Sequence, residues 1–158
     1  EIWDDSLPLS TPSCVNYYQH QELSLYDVES DQNWQIINQK LNNIDYLVLS
    51  SNRFWRSIPR DQQEYPTAAS FYQNLFVNQS NFKLVKKFYS YPGFYLPFLK
   101  KCFLIGPSDY PYQNNKNYFF KTDENCPFPG IYFRDDKSEE SFTVYDHPQV
   151  LIFQKTTN

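Results

Sequence analysis

Three arginines within eight residues are the side chains of this sequence with the clearest potential for chemistry. Arg53, Arg56 and Arg60 follow a short apolar run and alternate with bulky side chains such as Trp55. A guanidinium group binds a phosphate or a carboxylate through two parallel hydrogen bonds, and an indole ring stacks on cations. Together with Asn52, these residues form a candidate ligand-binding loop after a predicted strand, where open α/β sheets bind their ligands.

The same loop also has a structural interpretation. Arg53 and Arg60 can form ion pairs with acidic residues of the same chain and thereby hold loops together. The candidate acids are Asp4, Asp5 and Asp146. Because the sequence contains neither a Walker motif nor a G-x-G-x-x-G motif, nucleotide binding has no support. We predict that the loop first locks the domain together and that ligand binding is a secondary role.

Two pairs of neighbouring residues are candidates for acid–base catalysis. Asp4 is adjacent to Asp5, and Asp146 is adjacent to His147. Neighbouring residues of a strand point to opposite faces, and Asp-His-Pro is typical of a turn, so capped turns are the simpler interpretation. A soluble hydrolase, the least favoured function, would require all four side chains to converge in one pocket.

The composition restricts the class of protein to which the chain can belong. Its 158 residues carry a net charge of -4, which argues against a nucleic-acid partner. They include 14 tyrosines, 14 phenylalanines and 3 tryptophans, so one soluble domain over residues 1–158 can bury a sizeable core. No motif for a metal or a cofactor is visible, and no apolar stretch is long enough to cross a membrane. Because methionine is absent, even at position 1, we expect a fragment of a longer polypeptide.

The chain has three cysteines, Cys14, Cys102 and Cys126, and none of them forms a Cys-x-x-Cys pair of the kind that zinc sites use. Cys102 and Cys126 enclose a segment rich in tyrosine, asparagine and proline. A disulfide between them would stabilise the fold by about 3 kcal/mol, because it restrains the unfolded chain. This disulfide would leave Cys14 over, and buried, reduced thiols are the alternative.

The hydrophobic periodicity predicts an α/β fold. Trp34, Ile37 and Leu41 recur on one face of a predicted helix that Ser30 or Asp31 would cap. The apolar run at residues 46–49 predicts a strand with both faces covered. A helix followed by such a strand is typical of a small, mostly parallel sheet that is flanked by helices.

The rest of the sequence predicts three further units: a helix with the strand that follows it, a long excursion and a C-terminal hairpin. Pro66 suits the first turn of a helix whose apolar face is formed by Ala69, Tyr72, Leu75 and Phe76, and a strand at residues 82–89 follows. In that strand we expect Phe82 and Leu84, with Val85 and Phe88 as further candidates, to point inward. Residues 91–130 read as a long Pro/Tyr-rich excursion outside the core, whose aromatic side chains suit stacking on sugar rings. Residues 142–145 and 149–153 predict a C-terminal β-hairpin at one edge of the sheet.

Several stretches of the sequence together resemble a known family. They include "WDDSLPL", "LYD", "DYLVLSSNRFWRSIPR", "FYSYP" and "EESFTVYDHPQVLIFQK". In this order, and over most of the chain, they are similar to the C-terminal soluble region of bacterial polytopic membrane proteins of glycosyltransferase family 39, or the protein O-mannosyltransferase-like group. The resemblance is strongest at residues 139–155, followed by residues 45–66, and weakest at residues 94–130.

The resemblance implies a function for a parent membrane protein rather than for the fragment. Enzymes of this kind use a polyprenyl-linked sugar donor, and their catalytic acids lie near the start of the full chain, so no catalytic residue transfers to this sequence. It implies a non-catalytic domain on the extracytoplasmic face of the membrane that covers the active site or helps recognise the acceptor or the lipid-linked sugar donor. The implied partners are the membrane-embedded part of the same polypeptide and a glycan or lipid-linked sugar. An exported location would also explain a cysteine pair.

A stand-alone secreted module that binds carbohydrate or mediates adhesion is the alternative. It would use the same aromatic excursion and the same arginines, without a membrane-embedded partner. The upstream sequence distinguishes the two hypotheses: about ten apolar 20-residue segments favour the membrane protein, and a lone signal peptide favours the secreted module.

Overall fold

The computed structural model describes residues 21–25, 29–50, 53–107, 118–122, 126–135, 138–139, 142 and 149–156. In this part of the chain the helices are α1 (Asp31–Asn42), α2 (Arg53–Ser57) and α3 (Pro66–Phe76), with a 3-10 turn at Ile58–Arg60. The strands are β1 (Tyr46–Leu49), β2 (Phe82–Tyr89), β3 (Gly93–Leu96), β4 (Lys101–Gly106), β5 (Tyr118–Phe120), β6 (Gly130–Arg134) and β7 (Gln149–Lys155). The predicted α/β class is confirmed.

The first sheet has the strand order β1-β7-β2, and both of its pairings are antiparallel. The prediction of a mostly parallel sheet is therefore wrong. The helical connection from β1 to β2 does give these two strands the same direction, but β7 inserts between them. The predicted position of the C-terminal hairpin at an edge of the sheet is also wrong, because β7 is the central strand, flanked by β1 and β2. The pairing of the hairpin itself stays a prediction. Residues 143–148 lie outside the described part of the chain.

The first sheet buries one of its faces. In β1, Leu47 and Leu49 are buried, whereas Tyr46 and Val48 are exposed, so the expectation of two covered faces is wrong. The core contains Ile37 and Leu41 of α1, residues of α2 and α3, and Phe82, Leu151 and Phe153 of the sheet. Of the side chains expected to point inward from β2, only Phe82 is buried, while Leu84, Val85 and Phe88 are exposed.

The two longer helices begin where the sequence predicted. The hydroxyl of Ser30 accepts a hydrogen bond from the backbone amide of Asn33 and caps α1. Pro66 begins α3, and the preceding Tyr65 makes no side-chain cap. A carboxylate oxygen of Glu29 takes over that role, because it accepts hydrogen bonds from the backbone amides of Thr67 and Ala68.

A second sheet forms where the sequence predicted an excursion outside the core. Its strand order is β3-β4-β6-β5, in which β4 and β6 are parallel and the other neighbours are antiparallel. Residues 91–130 therefore supply strands rather than a long loop, and that prediction is wrong. A disulfide joins Cys102 of β4 to Cys126, and their Cα atoms lie 6.4 Å apart.

Tyrosine rings connect the two sheets. Tyr89, at the end of β2, stacks on Tyr91 with 4.5 Å between ring centroids, and Tyr91 meets the edge of Tyr132 of β6 at 5.8 Å. The Tyr132 hydroxyl donates a hydrogen bond to the carbonyl of Pro107 in the buried interior. The second sheet is thereby held against the end of the first one.

Candidate aromatic contact surface

The arginine loop folds into α2 and the 3-10 turn that follows it. Trp55 is 1% exposed and lies in the core, where its ring centroid is 5.1 Å from that of Phe76. Ile58 and Pro59 are buried beside it. The indole ring therefore packs inside the domain and presents no face on which a ligand could stack.

The three guanidinium groups of this loop do not face solvent together. Arg56 is buried, whereas Arg53 and Arg60 are exposed. All three interact with other groups of the chain. This arrangement agrees with a structural role, while ligand binding by the arginines stays a prediction. Asn52 lies outside the described residues, and so do the candidate acids and histidine Asp4, Asp5, Asp146 and His147.

A row of apolar side chains crosses the second sheet from edge to edge. Phe94 of β3 pairs with Phe103 of β4, Phe103 pairs with Ile131 of β6, and Ile131 pairs with Phe119 of β5. Paired residues of neighbouring strands point to the same face of a sheet. The four side chains therefore form one continuous row, and with Phe133 they constitute the aromatic face.

The rings of the aromatic face lie nearly parallel to one another. The ring centroids of Phe94 and Phe103 are 4.8 Å apart with an interplanar angle of 13°. Phe103 and Phe133 are 6.2 Å apart with an angle of 20°. The two ends of the row are open to solvent, because Phe94 is 57% exposed and Phe119 is 84% exposed.

The opposite face of the second sheet is buried on its two central strands, β4 and β6, which makes the aromatic face unusual. Cys102, Leu104 and Tyr132 point to that opposite face and are buried. An antiparallel or mixed sheet with one solvated face normally alternates apolar and polar side chains. Here both sets of side chains are apolar, so the aromatic face has the composition of a contact surface.

The turn between β3 and β4 extends the apolar surface. Residues 97–100 form this turn, in which Phe98 is 86% exposed and Leu99 is 58% exposed. Lys100 and Lys101 follow directly. Phe120 pairs with Gly130, and Gly130 pairs with Cys102, so Lys121 lies at the same end of the sheet as the turn. We call this end, with its three lysines, the basic end.

The chemical groups of the aromatic face favour binding over catalysis. Its members are phenylalanine and isoleucine, which offer neither a nucleophile nor a proton donor. Among the described residues, no three His, Cys, Asp or Glu side chains come close enough to hold a metal ion. Flat rings bind hydrocarbon chains, other rings and the apolar faces of sugars through dispersion and burial.

The sequence pointed to the aromatic content of residues 91–130 but not to the row. In β4, Phe103 and Leu104 are both large and apolar, so their alternation cannot tell the exposed face from the buried one. The cysteine pair was the usable signal, because it marks Cys102 and therefore the alternate residue Leu104 as inward. Successive side chains of a strand point to opposite faces, so the residue between these two, Phe103, is the one on the exposed face.

No known protein family, curated protein sequence or solved structure matches this chain. Within the described residues, no helix combines the length and the apolar character that crossing a bilayer requires.

Proposed function

We propose that this chain is a non-catalytic extracytoplasmic domain of a membrane glycosyltransferase-like protein. In that role it covers the membrane active site and helps to hold the lipid-linked sugar donor or the acceptor. The observation that carries the proposal is the aromatic face, whose apolar row spans all four strands of the second sheet and is exposed at both of its ends. The resemblance of the sequence to the soluble region of glycosyltransferase family 39 supplies the class of parent protein.

The chemistry of a lipid-linked sugar fits this surface. Such a donor combines a long hydrocarbon chain with a sugar, and both offer apolar C–H groups to aromatic rings. The exposed ends of the row, Phe94 and Phe119, are available for such contacts. The row lacks acid–base groups, so the bond-breaking steps belong to the membrane-embedded part of the proposed parent protein.

Binding to lipid nanodiscs tests this proposal. Phosphatidylcholine nanodiscs are prepared either with a polyprenyl-phosphate-linked sugar or, at matched negative charge, with phosphatidylglycerol, and the affinity of the purified chain is measured for both. We expect the lipid-linked sugar to strengthen binding at least tenfold, and the double variant Phe94→Ser/Phe119→Ser to lose that gain.

The matched control for this experiment is Phe88→Ser. Phe88 is an exposed phenylalanine on the first sheet, away from the aromatic face. It should leave binding unchanged. Equal affinity of the unaltered chain for both kinds of nanodisc would contradict the proposal, as would an equal loss in the control variant.

A stand-alone carbohydrate-binding module is the second candidate, and one observation favours it. Tyr95 is partly exposed, and its ring stacks on that of Phe128 at 4.9 Å with an interplanar angle of 8°. A rigid, partly exposed tyrosine is the kind of platform on which sugar rings stack. Binding of soluble oligosaccharides that Tyr95→Ala removes, in the absence of any lipid, would favour this candidate over the first one.

A further inference from the structure

We propose that the β3–β4 turn is a membrane-contacting tip, which inserts Phe98 and Leu99 into a lipid surface that carries anionic headgroups. This inference deepens the proposed function and rests on it for the location of the chain beside a membrane. It assigns the basic end of the second sheet to the phosphate layer and the tip of the turn to the underlying hydrocarbon.

The first argument is the exposure of the turn. Phe98 and Leu99 stand out from the end of the sheet with most of their surface in solvent. Single exposed apolar residues are common, but this pair lies in the turn that directly follows β3, the strand that carries the exposed Phe94 of the aromatic face. Such a group of exposed apolar side chains normally marks a site of contact.

The second argument is the charge around the tip. Within residues 93–107, 118–122 and 126–135 the one acidic residue is Asp135, which is buried at the opposite end of the sheet. The basic end carries Lys100, Lys101 and Lys121, all exposed. Asp123 and Glu124 lie outside the described residues. Among the described residues this end therefore carries only cations, in a chain whose net charge is -4.

The third argument is the backbone of the turn. The amide of Leu99 donates to the carbonyl of Leu96 at 3.1 Å, and the amide of Lys100 donates to the carbonyl of Pro97 at 3.3 Å. Lys100 has a φ of 45°, in the left-handed region that favours glycine and asparagine. The turn therefore has a defined shape, and it holds a long cationic side chain at a position where glycine would be less strained.

A lipid surface fits these features better than a protein groove does. In a membrane with anionic lipids, the phosphate groups lie at the surface and the hydrocarbon lies below them. An apolar tip with lysines behind it matches this order of layers. The lysines are the only charged side chains at this end among the described residues of the sheet. Specific protein interfaces instead combine apolar anchors with hydrogen-bonding side chains of both polarities.

Vesicle co-sedimentation with the full 158-residue chain tests the inference. Vesicles of phosphatidylcholine alone are compared with vesicles that also contain phosphatidylglycerol, and neither kind contains a lipid-linked sugar. We expect binding to be at least tenfold tighter with the anionic lipid, because each lysine near the surface contributes roughly fivefold. Added salt should weaken the binding.

Two variants separate the roles of the tip and of the lysines. Phe98→Ser/Leu99→Ser should reduce binding to anionic vesicles at least tenfold, and Lys101→Gln/Lys121→Gln should reduce it while leaving the weak binding to neutral vesicles unchanged. Phe88→Ser is the matched control and should bind like the unaltered chain. Near-UV circular dichroism verifies that each variant is folded, which we expect because all of the altered side chains are exposed.

Three outcomes would overturn the inference. They are equal binding of the unaltered chain to both kinds of vesicle, unchanged binding by the tip variant, and self-association of the chain through the tip in the absence of lipid. None of these outcomes bears on the nanodisc experiment, in which both kinds of nanodisc carry the same charge and the lipid-linked sugar is the variable. The failure of one hypothesis can therefore be distinguished from the failure of the other.

Discussion

A carboxylate oxygen of Glu29 accepts a hydrogen bond of 2.7 Å from the backbone amide of Thr67, 38 residues further along the chain. The same oxygen accepts from the amide of Ala68 at 3.1 Å and from the indole N–H of Trp34 at 3.1 Å. One carboxylate thus caps α3 at its positive end and ties it to α1. The relative position of the two helices over the first sheet depends on this residue.

Replacement of Glu29 should destabilise the fold through the loss of this cap. We expect Glu29→Ala to lower the free energy of unfolding by about 1 to 2 kcal/mol, as for other N-cap losses. Glu29→Gln, which keeps one acceptor oxygen but not the charge, should cost less. Urea unfolding followed by circular dichroism measures both values. Glu64→Ala, at an exposed position, is the control, and an equal effect there would contradict the capping role.

Reduction of the disulfide should weaken the second sheet. The bond closes a segment with a sequence separation of 24 residues. On loop-entropy grounds, Cys102→Ser/Cys126→Ser should lose about 3 kcal/mol of stability. Thermal unfolding with and without a reductant provides the measurement, with Cys14→Ser as the control. A stability that neither the reductant nor the double variant changes would show that the bond contributes nothing.

Gly130 is expected to tolerate no side chain. A Cβ atom at this position would lie 2.0 Å from the carbonyl oxygen of Cys102 and 2.7 Å from the ring of Phe120. Because the closest atom belongs to the backbone, Gly130→Ala should force β4 and β6 apart and cost about 1 to 3 kcal/mol or more. Denaturant unfolding gives the value, and thiol titration shows whether the disulfide still forms. Unchanged stability would contradict the close approach of β4 and β6 at this residue.

Substitution of Arg56 should destabilise the fold more than substitution of Arg53 or Arg60. The reason is that Arg56 is buried, whereas the other two arginines are exposed. Arg56→Ala removes a buried side chain that interacts with other groups, and we expect a loss of about 2 kcal/mol or more. Arg53→Ala should change stability by no more than about 0.5 kcal/mol, as is usual for surface positions. Chemical denaturation of both variants makes the comparison. A larger loss at Arg53 than at Arg56 would show that the exposed guanidinium, rather than the buried one, holds the loop in place.

Tyr72 should make the fold sensitive to alkaline pH. Its side chain is buried in the core, and this burial raises the pKa of the phenol above the ordinary value of about 10. The folded state then keeps its proton at a pH where the unfolded state has lost it. The contribution of Tyr72 to stability is complete below about pH 10 and is lost as the pH rises above that value.

The pH dependence of urea unfolding between neutral and strongly alkaline pH tests this expectation. We expect Tyr72→Phe to show a shallower loss of stability above about pH 10, since phenylalanine does not titrate. The quantity to compare is the change in the free energy of unfolding with pH. The free energy itself also differs between the two proteins, because the substitution removes a hydroxyl. Parallel slopes for both proteins would show that the phenol of Tyr72 ionises as it does in the unfolded chain.

Local features of the fold could be predicted from the sequence, whereas strand pairing could not. Ser30 and Pro66 mark helix starts because capping and the fixed φ of proline act within one turn of chain. The position of β7 depends on contacts with β1, about a hundred residues earlier in the chain, and with β2, 60 to 73 residues earlier. No local pattern encodes which strand lies in the centre. The run Tyr46–Leu49 is apolar at every position, so it predicted two covered faces where one is exposed.

The sequence predicted that aromatic side chains form the candidate site, but not which strands carry them. The arginine loop drew attention because cationic and aromatic residues are concentrated there, yet Trp55 is a core residue. Burial of an aromatic residue inside a short helix depends on what packs over it, here Phe76 of α3. The exposed rings of the second sheet, by contrast, lie in strands whose two faces are equally apolar in sequence.

The central place of β7 has a consequence for synthesis of the chain on the ribosome. Tyr46 pairs with Gln154 and Phe82 pairs with Lys155, so the first sheet has no hydrogen-bonded neighbours for β1 and β2 until residues 149–155 have left the exit tunnel. Contacts of such large sequence separation give a high contact order and slow folding. Until then, the unpaired backbone N–H and C=O groups of both strands are open to pairing with other chains, which favours aggregation during synthesis.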